Sequence, residues 1–410
     1  MKVFEDLASE LHTAWTERGR DELAFPELAQ SALERFAAES SPTKPDEVFH
    51  WLAATDQVPR QFDPRSTFGN LAVTVATRED FHIDVLVWTD STTAIHEHSF
   101  SGAFHVLHGS SLQTLWSFQE TRRWSDRLKS GQLSVRATEW LRTGSTRPIL
   151  PGAAMIHSLF HLDSPSVTVV VRTPSSAVAS PQMCYLRSGL AYDQQTEFAR
   201  IEKVRQLLCL LWACDHPKRE ALSEAALSGI DVHSAVRIIL SIRSQTPAGT
   251  ERRLIDLLAA REPDLASLLR ETISRLDRDR SLIDLRKQTR SPRHRMLLAL
   301  VLNLPDRDSI NSVLRQIVPG ETPENWLWDT IRSMHDTPNP RSDQNSVLGF
   351  SLNEISEEVI KMLLRGHSVD DVSKTVAGHD ELVEDVRALC SALSTLPVLS
   401  PLLGHRLTLA

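Results

Sequence analysis

Cysteine, long apolar runs and runs of positive charge are scarce in this chain, and each shortage excludes a class of protein. Only four of the 410 residues are cysteine, too few for the disulfide framework of a small secreted domain. Cys209 and Cys214 lie in an apolar helical pattern, so we expect all four to be reduced, buried thiols. The N-terminus lacks a basic-then-apolar signal peptide, and no apolar run approaches the roughly 20 residues of a membrane span. We therefore expect a cytoplasmic protein without a membrane segment.

The charge balance is mildly acidic. Lysine and arginine number 45 against 53 aspartate and glutamate, for a net charge of −8. Nucleic acids and anionic membranes require an electropositive surface, so we expect neither as a general partner. A chain of this length, with 41% hydrophobic residues, can bury a large core and form two or three domains.

The hydrophobic period changes twice along the chain. Residues 1–60 carry apolar side chains at helical spacing, residues 61–185 contain runs that alternate with a period of two, and the helical period returns over residues 193–410. Clusters of Gly, Ser, Asp and Pro separate the alternating runs, which is typical of an antiparallel barrel or sandwich. We predict an α+β protein with a short helical N-terminal segment, a β-domain and a large all-α C-terminal half.

The residues that carry chemistry are concentrated in residues 95–112, which read IHEHSFSGAFHVLHGSSL. His96 and His98 are two positions apart on an extended segment, so both imidazoles project from the same face and can meet one ion. Glu97 points the opposite way. A third histidine, His157, precedes the strand-like run VTVVVR.

These histidines and the turns around them resemble the two motifs of the cupin superfamily over roughly residues 67–178. The first motif is most similar to that of the cysteine dioxygenase-like thiol dioxygenases. The resemblance implies an antiparallel, jelly-roll-like cupin β-barrel in which His96, His98 and His157 bind a metal. Fe(II) is the expected ion, with Zn, Mn or Ni as alternatives. A three-histidine facial set leaves positions on the ion for substrate and dioxygen.

The sequence departs from the family pattern around the metal. Ala103 stands where most cupins have a Glu or Gln ligand, and Arg172 stands where some thiol dioxygenases have a tyrosine. The family's carboxylate-binding arginine has no clear counterpart, and Arg65 and Arg78 are the nearest candidates. The resemblance therefore implies metal binding more directly than it implies thiol specificity.

Three further residues are candidates for catalysis. His105 shares a strand face with Ala103, which we expect inside the barrel, and would serve as a proton donor or replacement ligand; the alternative is hydrogen-bonded packing. His161 takes the place of a structural asparagine in the second cupin motif. Arg172, in an apolar strand, needs an anionic partner, which a substrate carboxylate or an acidic residue of the chain would provide.

A weaker resemblance lies in residues 350–395 of the helical half. Ser351 with Glu354 resembles a capping box, Gly366 is placed to end the helix that follows, and Ser368 is placed to open the next. The layout is similar to helix-turn-helix peptide-chaperone domains, which hold the leader of a ribosomally made peptide. It is also similar to DNA-binding modules, although its acidic composition disfavours phosphate contact. The alternative is a helical bundle used as a cover or for dimerisation.

Two functions fit these observations. The first is a non-haem Fe(II)-dependent dioxygenase or oxygenase that uses O₂ to oxidise a small thiol, a carboxylate-bearing metabolite or a peptide residue. The second is a non-catalytic cupin sensor or scaffold whose helical half binds a partner protein or a second copy of the chain. The complete histidine triad favours the oxygenase, as do Ala103 and the small residues Ser99, Ser101 and Gly102, which we expect to leave room beside the ion.

Overall fold

The computed structural model describes residues 1–39, 44–62, 64, 68–177, 181–196, 198–337, 346–377 and 382–403. Helices, strands and again helices follow one another along the chain, in the order that the hydrophobic period predicted. None of the described helices is long and apolar enough to cross a membrane.

The N-terminal segment contains the helices α1 (Lys2–Glu17), α2 (Phe25–Glu39) and α3 (Pro45–Ala54). Each has an apolar side that contributes to one buried cluster, and this cluster also contains alternate residues of the first β-sheet. The helices therefore cover one face of that sheet.

Strands occupy the next part of the chain. They are β1 (Leu71–Thr77), β2 (His82–Trp88), β3 (Ile95–His98), β4 (Gly102–His108), β5 (Ser110–Ser125), β6 (Leu128–Arg142), β7 (Thr146–Ile149), β8 (Gly152–His161), β9 (Ser166–Arg172), β10 (Met183–Tyr185) and β11 (Leu190–Asp193). Five form an antiparallel sheet of order β1-β2-β9-β4-β7, and six close into a barrel of order β10-β11-β6-β5-β8-β3.

The two faces of the five-stranded sheet have different neighbours because successive side chains of a strand point to opposite sides. On β2, Val85 and Val87 pack against the N-terminal helices. Asp84, Leu86 and Trp88 of the same strand line a cavity between this sheet and the strands β3 and β8. The cavity therefore lies between the two sheets.

Helices form the rest of the described chain. They are α4 (Ala199–Ala213), α5 (Arg219–Ser228), α6 (Val232–Ile242), α7 (Thr250–Ala259), α8 (Pro263–Arg286), α9 (Pro292–Asn303), α10 (Arg307–Ile317), α11 (Pro323–His335), α12 (Glu354–Leu364), α13 (Val369–Ala377), α14 (Val383–Thr395) and α15 (Ser400–Leu403). The long helix α8 joins two apolar clusters, because its first half packs with α4 to α7 and its end packs with α9 to α15.

Two buried arginines attach the helical half to the barrel. Arg286 of α8 is fully buried and donates to the carbonyl oxygen of His161 and to Oγ1 of Thr92. Arg295 of α9 donates to the carbonyl oxygen of Leu162 at 3.2 Å and to Asp90 at 2.6 Å. A buried guanidinium is costly unless it is paired in this way, so these contacts select the orientation of the helices on the barrel.

The predicted α+β class is confirmed, with antiparallel β-structure between an N-terminal helical segment and a helical half. The strands continue to Asp193, beyond the predicted end of the β-domain at residue 185, and the domain boundaries stay a prediction. Among the cysteines, Cys184 and Cys390 are buried free thiols. The expectation of burial is wrong for Cys214, which is exposed at the C-terminal end of α4.

The helix caps near residue 350 differ in part from the prediction. Ser351 is not the N-cap of α12, because Asn353 caps it and forms the capping box with Ser356. The predictions for Gly366, which has a φ of 95° after α12, and for Ser368, whose Oγ accepts from the backbone N–H of Asp371, are confirmed. The peptide-chaperone role of these helices stays a prediction.

Replacing Arg286 with Met tests the attachment of the helical half. The substitution preserves most of the apolar stem but leaves the buried carbonyl of His161 without its donor, so we expect the free energy of unfolding to fall by about 1–3 kcal/mol. Urea denaturation followed by circular dichroism measures it. Arg280→Met, at an exposed position of the same helix, is the matched control and should unfold like the wild type.

Candidate metal centre

Three buried imidazoles converge between the two sheets. His96 and His98 project from β3 and His157 from β8, with His96 directly opposite His157 in the strand pairing. One ring nitrogen from each lies within 4.8 Å of the others, and Nε2 of His98 is 3.2 Å from Nε2 of His157. Two nitrogens bound to one ion at about 2.1 Å would be about 3.0–3.4 Å apart at octahedral to tetrahedral angles. The spacing of His98 and His157 therefore fits one ion between them.

Hydrogen bonds on the far side of two rings select the tautomer that a metal needs. Nδ1 of His96 is 2.9 Å from the backbone oxygen of Ala94, which can only accept, so Nδ1 carries the proton and Nε2 keeps its lone pair. Nδ1 of His157 is 3.2 Å from the amide nitrogen of Gln113, whose amide oxygen has no partner among the described residues. Rotating that amide by 180° makes the oxygen the acceptor for Nδ1–H and frees Nε2 of His157.

Burial keeps the three rings neutral. It lowers the pKa of His96, and it lowers the pKa values of His98 and His157 well below the usual range, with smaller contributions from the charges of neighbouring histidines. Neutral imidazole is the form that binds metal. The donor set thus fits a divalent ion, while the role of the three residues as ligands stays a prediction.

Glu97 does not join this site. Its carboxylate lies on the other face of β3, where Oε2 accepts a 2.7 Å hydrogen bond from the hydroxyl of Tyr185 and Oε1 accepts from the backbone N–H of Met183. Burial raises the pKa of Glu97. A site of two histidines and one carboxylate is therefore not formed by this segment.

A cavity of about 70 Å³ adjoins the three histidines. Its walls are predominantly apolar and include five aromatic side chains, those of Phe62, Phe68, Trp88, Phe100 and Phe104. Such a lining excludes water and favours a substrate with an apolar body.

The polar residues of this cavity include an ion pair that spans two strands. Arg172 of β9 approaches Asp84 of β2, with both Nε and Nη2 at 3.0 Å from Oδ2. Thr74 donates a 2.7 Å hydrogen bond to Oδ1 of Asp84. Burial raises the pKa of Asp84, but hydrogen bonding from His82 and the charge of Arg172 outweigh it, so the pKa is lowered overall. The sequence left two partners open for Arg172, a substrate carboxylate and an acidic residue of the chain. In the structure its partner is an acidic residue, Asp84.

The expected position of His105 is wrong. Phe104 faces the cavity, so the alternation of β4 directs Ala103 and His105 to the opposite face, against the N-terminal helices. Nδ1 of His105 is 2.8 Å from Oγ1 of Thr146. His105 therefore has the alternative role considered from sequence, that of a hydrogen-bonded packing residue. Neither a proton-donor nor a ligand role is possible from there.

His161 lies behind the cavity wall. Its ring stacks on Trp88 with centroids 4.6 Å apart, and Nδ1 is 2.9 Å from Oγ of Ser111 and 2.7 Å from Oγ of Ser166. Burial, with a smaller contribution from the charge of Arg286, lowers the pKa of His161 to about 3. His161 therefore supports Trp88 from outside the cavity.

The small residues after His98 do not create space beside the ion. Ser101 is fully buried and bonds to Thr173, and a Cβ on Gly102 would lie 2.0 Å from the carbonyl oxygen of Val171. Gly102 is thus required by the close approach of β9. Phe100 occupies the space near His98, with ring centroids 5.0 Å apart.

Of the two candidates for a counterpart of the carboxylate-binding arginine, Arg78 does not line the cavity. Arg78 contacts Glu5 and Ser9 of α1. Arg65 lies outside the described residues. Asp84 was missed by sequence reasoning, although its place two residues before Leu86 in an alternating run is a signal that it shares the cavity face.

The comparisons with known proteins identify no family for the chain. No protein-family model matches it, and no curated protein matches it significantly. Solved structures with partial similarity include a cupin-2 domain-containing protein from Shewanella frigidimarina, with 11% identity, a TM-score of 0.20, and coverage of 31% of this chain and 91% of that one.

Two more such structures are a hydroquinone 1,2-dioxygenase from a Sphingomonas species and a conserved protein of unknown function from Streptococcus pyogenes. The dioxygenase is 11% identical, with a TM-score of 0.21 and coverage of 26% of this chain and 68% of that one. The streptococcal protein is 17% identical, with a TM-score of 0.19 and coverage of 27% and 80%. Similarity at this level does not transfer a function.

Removal of single imidazoles tests the metal centre. We expect about one equivalent of iron in the wild type after anaerobic loading with Fe(II), and none in His98→Ala or His157→Ala, because two nitrogens do not hold the ion through desalting. His105→Ala, which removes a buried histidine outside the cavity, should keep the metal. Mass spectrometry measures the content, and full retention by the His98 variant would refute the site.

The buried His161 predicts a loss of stability in acid. Because its pKa falls from 6.5 to about 3 on folding, the stabilisation is complete above pH 6.5 and is lost as the pH falls below that value. Between pH 6.5 and 5 the loss approaches about 2 kcal/mol at 1.36 kcal/mol per pH unit. Urea titrations at pH 6.5 and at pH 5 measure the free energy of unfolding. Between these two pH values, His161→Gln should lose less of this free energy than the wild type does, by about the same amount. His50→Gln, at an exposed position, should lose as much as the wild type.

Proposed function

We propose that the protein is a non-haem Fe(II)-dependent oxygenase of cupin type, with His96, His98 and His157 as the metal ligands. The observation that carries the proposal is the convergence of three neutral, buried imidazoles at a cavity with apolar walls. A ferrous ion bound there would supply the positions at which O₂ and an anionic substrate react. Zn, Mn and Ni are the alternative ions.

The second ring nitrogens would hold the ligands in place. The Ala94 carbonyl fixes the orientation of the His96 ring, and Gln113 does the same for His157. Partners of this kind keep metal-binding imidazoles in the correct tautomer and increase their basicity. The aromatic walls would exclude bulk water from the reacting groups.

Arg172 is the residue that we assign to substrate binding. Two of its nitrogens are directed at Asp84, while none of the hydrogen bonds among the described residues uses Nη1. A small substrate with an apolar body and one carboxylate would place the carboxylate at this guanidinium and a thiol or other donor at the metal. Asp84 would hold the guanidinium in position.

Oxygen consumption tests the activity. The iron-loaded wild type is screened with small thiols, with carboxylates that lack a thiol, and with short thiol-containing peptides, using an oxygen electrode and mass spectrometry of the products. We expect uptake with at least one carboxylate-bearing compound and none after His157→Ala. Protein that binds no metal after anaerobic loading would instead support the non-catalytic sensor or scaffold.

Substituting the ion pair tests the substrate subsite. Arg172→Gln alone would leave Asp84 unpaired, so the double variant Asp84→Asn/Arg172→Gln is the better probe. We expect the double variant to raise KM for the carboxylate substrate about 10- to 100-fold, because a hydrogen bond to a charged group contributes about 1.5–3 kcal/mol. The metal content should not change. An unchanged KM would remove Arg172 from the subsite.

A further inference from the structure

A second and larger recess lies on the other side of the barrel, where it meets the helical half. This cleft of about 1060 Å³ is bordered by residues 133–138 of β6 on one side and by α8 and α10 on the other. It shares no lining residue with the metal cavity. The proposed oxygenase chemistry does not use it.

The cleft runs along an open strand edge. Six consecutive residues of β6 line it, and because successive side chains point to opposite faces, the recess borders the backbone of this strand as well as its side chains. In the described structure β6 pairs with β11 only over Leu128–Ser130, and residues 132–142 pair only with β5. The backbone N–H and C=O groups on the outer edge therefore have no strand partner in the described structure over about 20 Å, at roughly 3.4 Å per residue.

Positive charge surrounds this edge. Four arginines line the cleft, against one acidic lining residue, Asp308. Arg136 extends from β6, is exposed and has no partner among the described residues. Arg275 and Arg278 are three positions apart on α8 and so share a face of the helix. Arg187 lies in the turn between β10 and β11.

Two of these arginines share a single carboxylate, that of Asp279. Arg187 pairs with Asp279 at 2.8 Å, but its buried Nε has no hydrogen-bond partner in the described structure. Arg278 donates to the backbone oxygens of Val301 and Pro397, and Nη1 is 3.8 Å from Asp279. Burial lowers the pKa of Arg278, and the charges of the neighbouring arginines lower it further. An anionic group in the cleft would relieve this repulsion.

We propose that the cleft is a docking site for an extended acidic segment of a partner protein. The segment adds to β6 as a strand through backbone hydrogen bonds, and its carboxylates pair with Arg136 and with Arg275, whose partner in the structure is the exposed Glu271 at 2.9 Å. A nucleic acid would use the arginines but not the strand edge, because its backbone offers no matching ladder of donors and acceptors. The combination of an open edge and surrounding arginines therefore specifies a peptide.

Fluorescence anisotropy with the full-length protein tests the proposal. The probe is a fluorescein-labelled peptide of four Val-Glu repeats, and we expect saturable binding that weakens at least tenfold in Arg136→Glu/Arg275→Glu. Both positions are exposed, so the variant should fold, which circular dichroism checks. Arg280→Glu, an exposed substitution on the same helix outside the cleft, should bind like the wild type.

Two further probes separate the edge from the charge. The same peptide with N-methyl groups on alternate residues keeps its carboxylates but cannot form the ladder, and it should bind at least tenfold more weakly. Equal binding of both peptides, or equal binding by all protein variants, overturns the proposal. If a ten-nucleotide oligothymidine binds more tightly than the peptide and its binding is weakened by the same arginine substitutions, the proposal is overturned in favour of a nucleic acid. If the wild-type protein is a dimer and Arg136→Glu dissociates it, the proposal is overturned in favour of a second copy of the chain.

Discussion

The structure depends on a strand that is buried on both faces. One face of β8 carries His157 and Leu159 toward the cavity, while Phe160, on the other face, packs in the apolar cluster of the helical half. Because a strand alternates strictly, a shift of one residue would exchange these two sets and place His157 among the helices. The helical half and the metal centre therefore constrain the register of β8 together.

Buried polar groups reinforce this arrangement. Asn303 at the end of α9 lies 3.3 Å from Oγ of Ser158, next in sequence to His157, and it also accepts from Arg187 at 2.8 Å. Arg286 and Arg295 bond to carbonyl oxygens at the end of β8 and just after it. A misplaced helical half would leave these groups buried and unpaired, which is costly. The polar contacts thus give the apolar interface a single geometry.

The histidine cluster could be predicted from sequence because its signals are local. His96 and His98 share a face by strand alternation alone, and the similarity to two family motifs added His157. The position of His105 could not be predicted, because it depends on which face of β4 borders the cavity. Ala103, at the position where most cupins have a ligand, is small and apolar and suits either face, so it gives no signal. The Asp84–Arg172 pair joins two strands that are far apart in sequence, so no local pattern reveals it.

The sequence by itself determined the order of helices and strands and the residues that can meet a metal, because hydrophobic period and side-chain alternation act over a few residues. Only the tertiary structure decided which sheet face borders the cavity, which acid pairs with Arg172, and where the helical half leaves β6 uncovered. Those features arise from contacts between segments tens to hundreds of residues apart, and each depends on the packing of all the others.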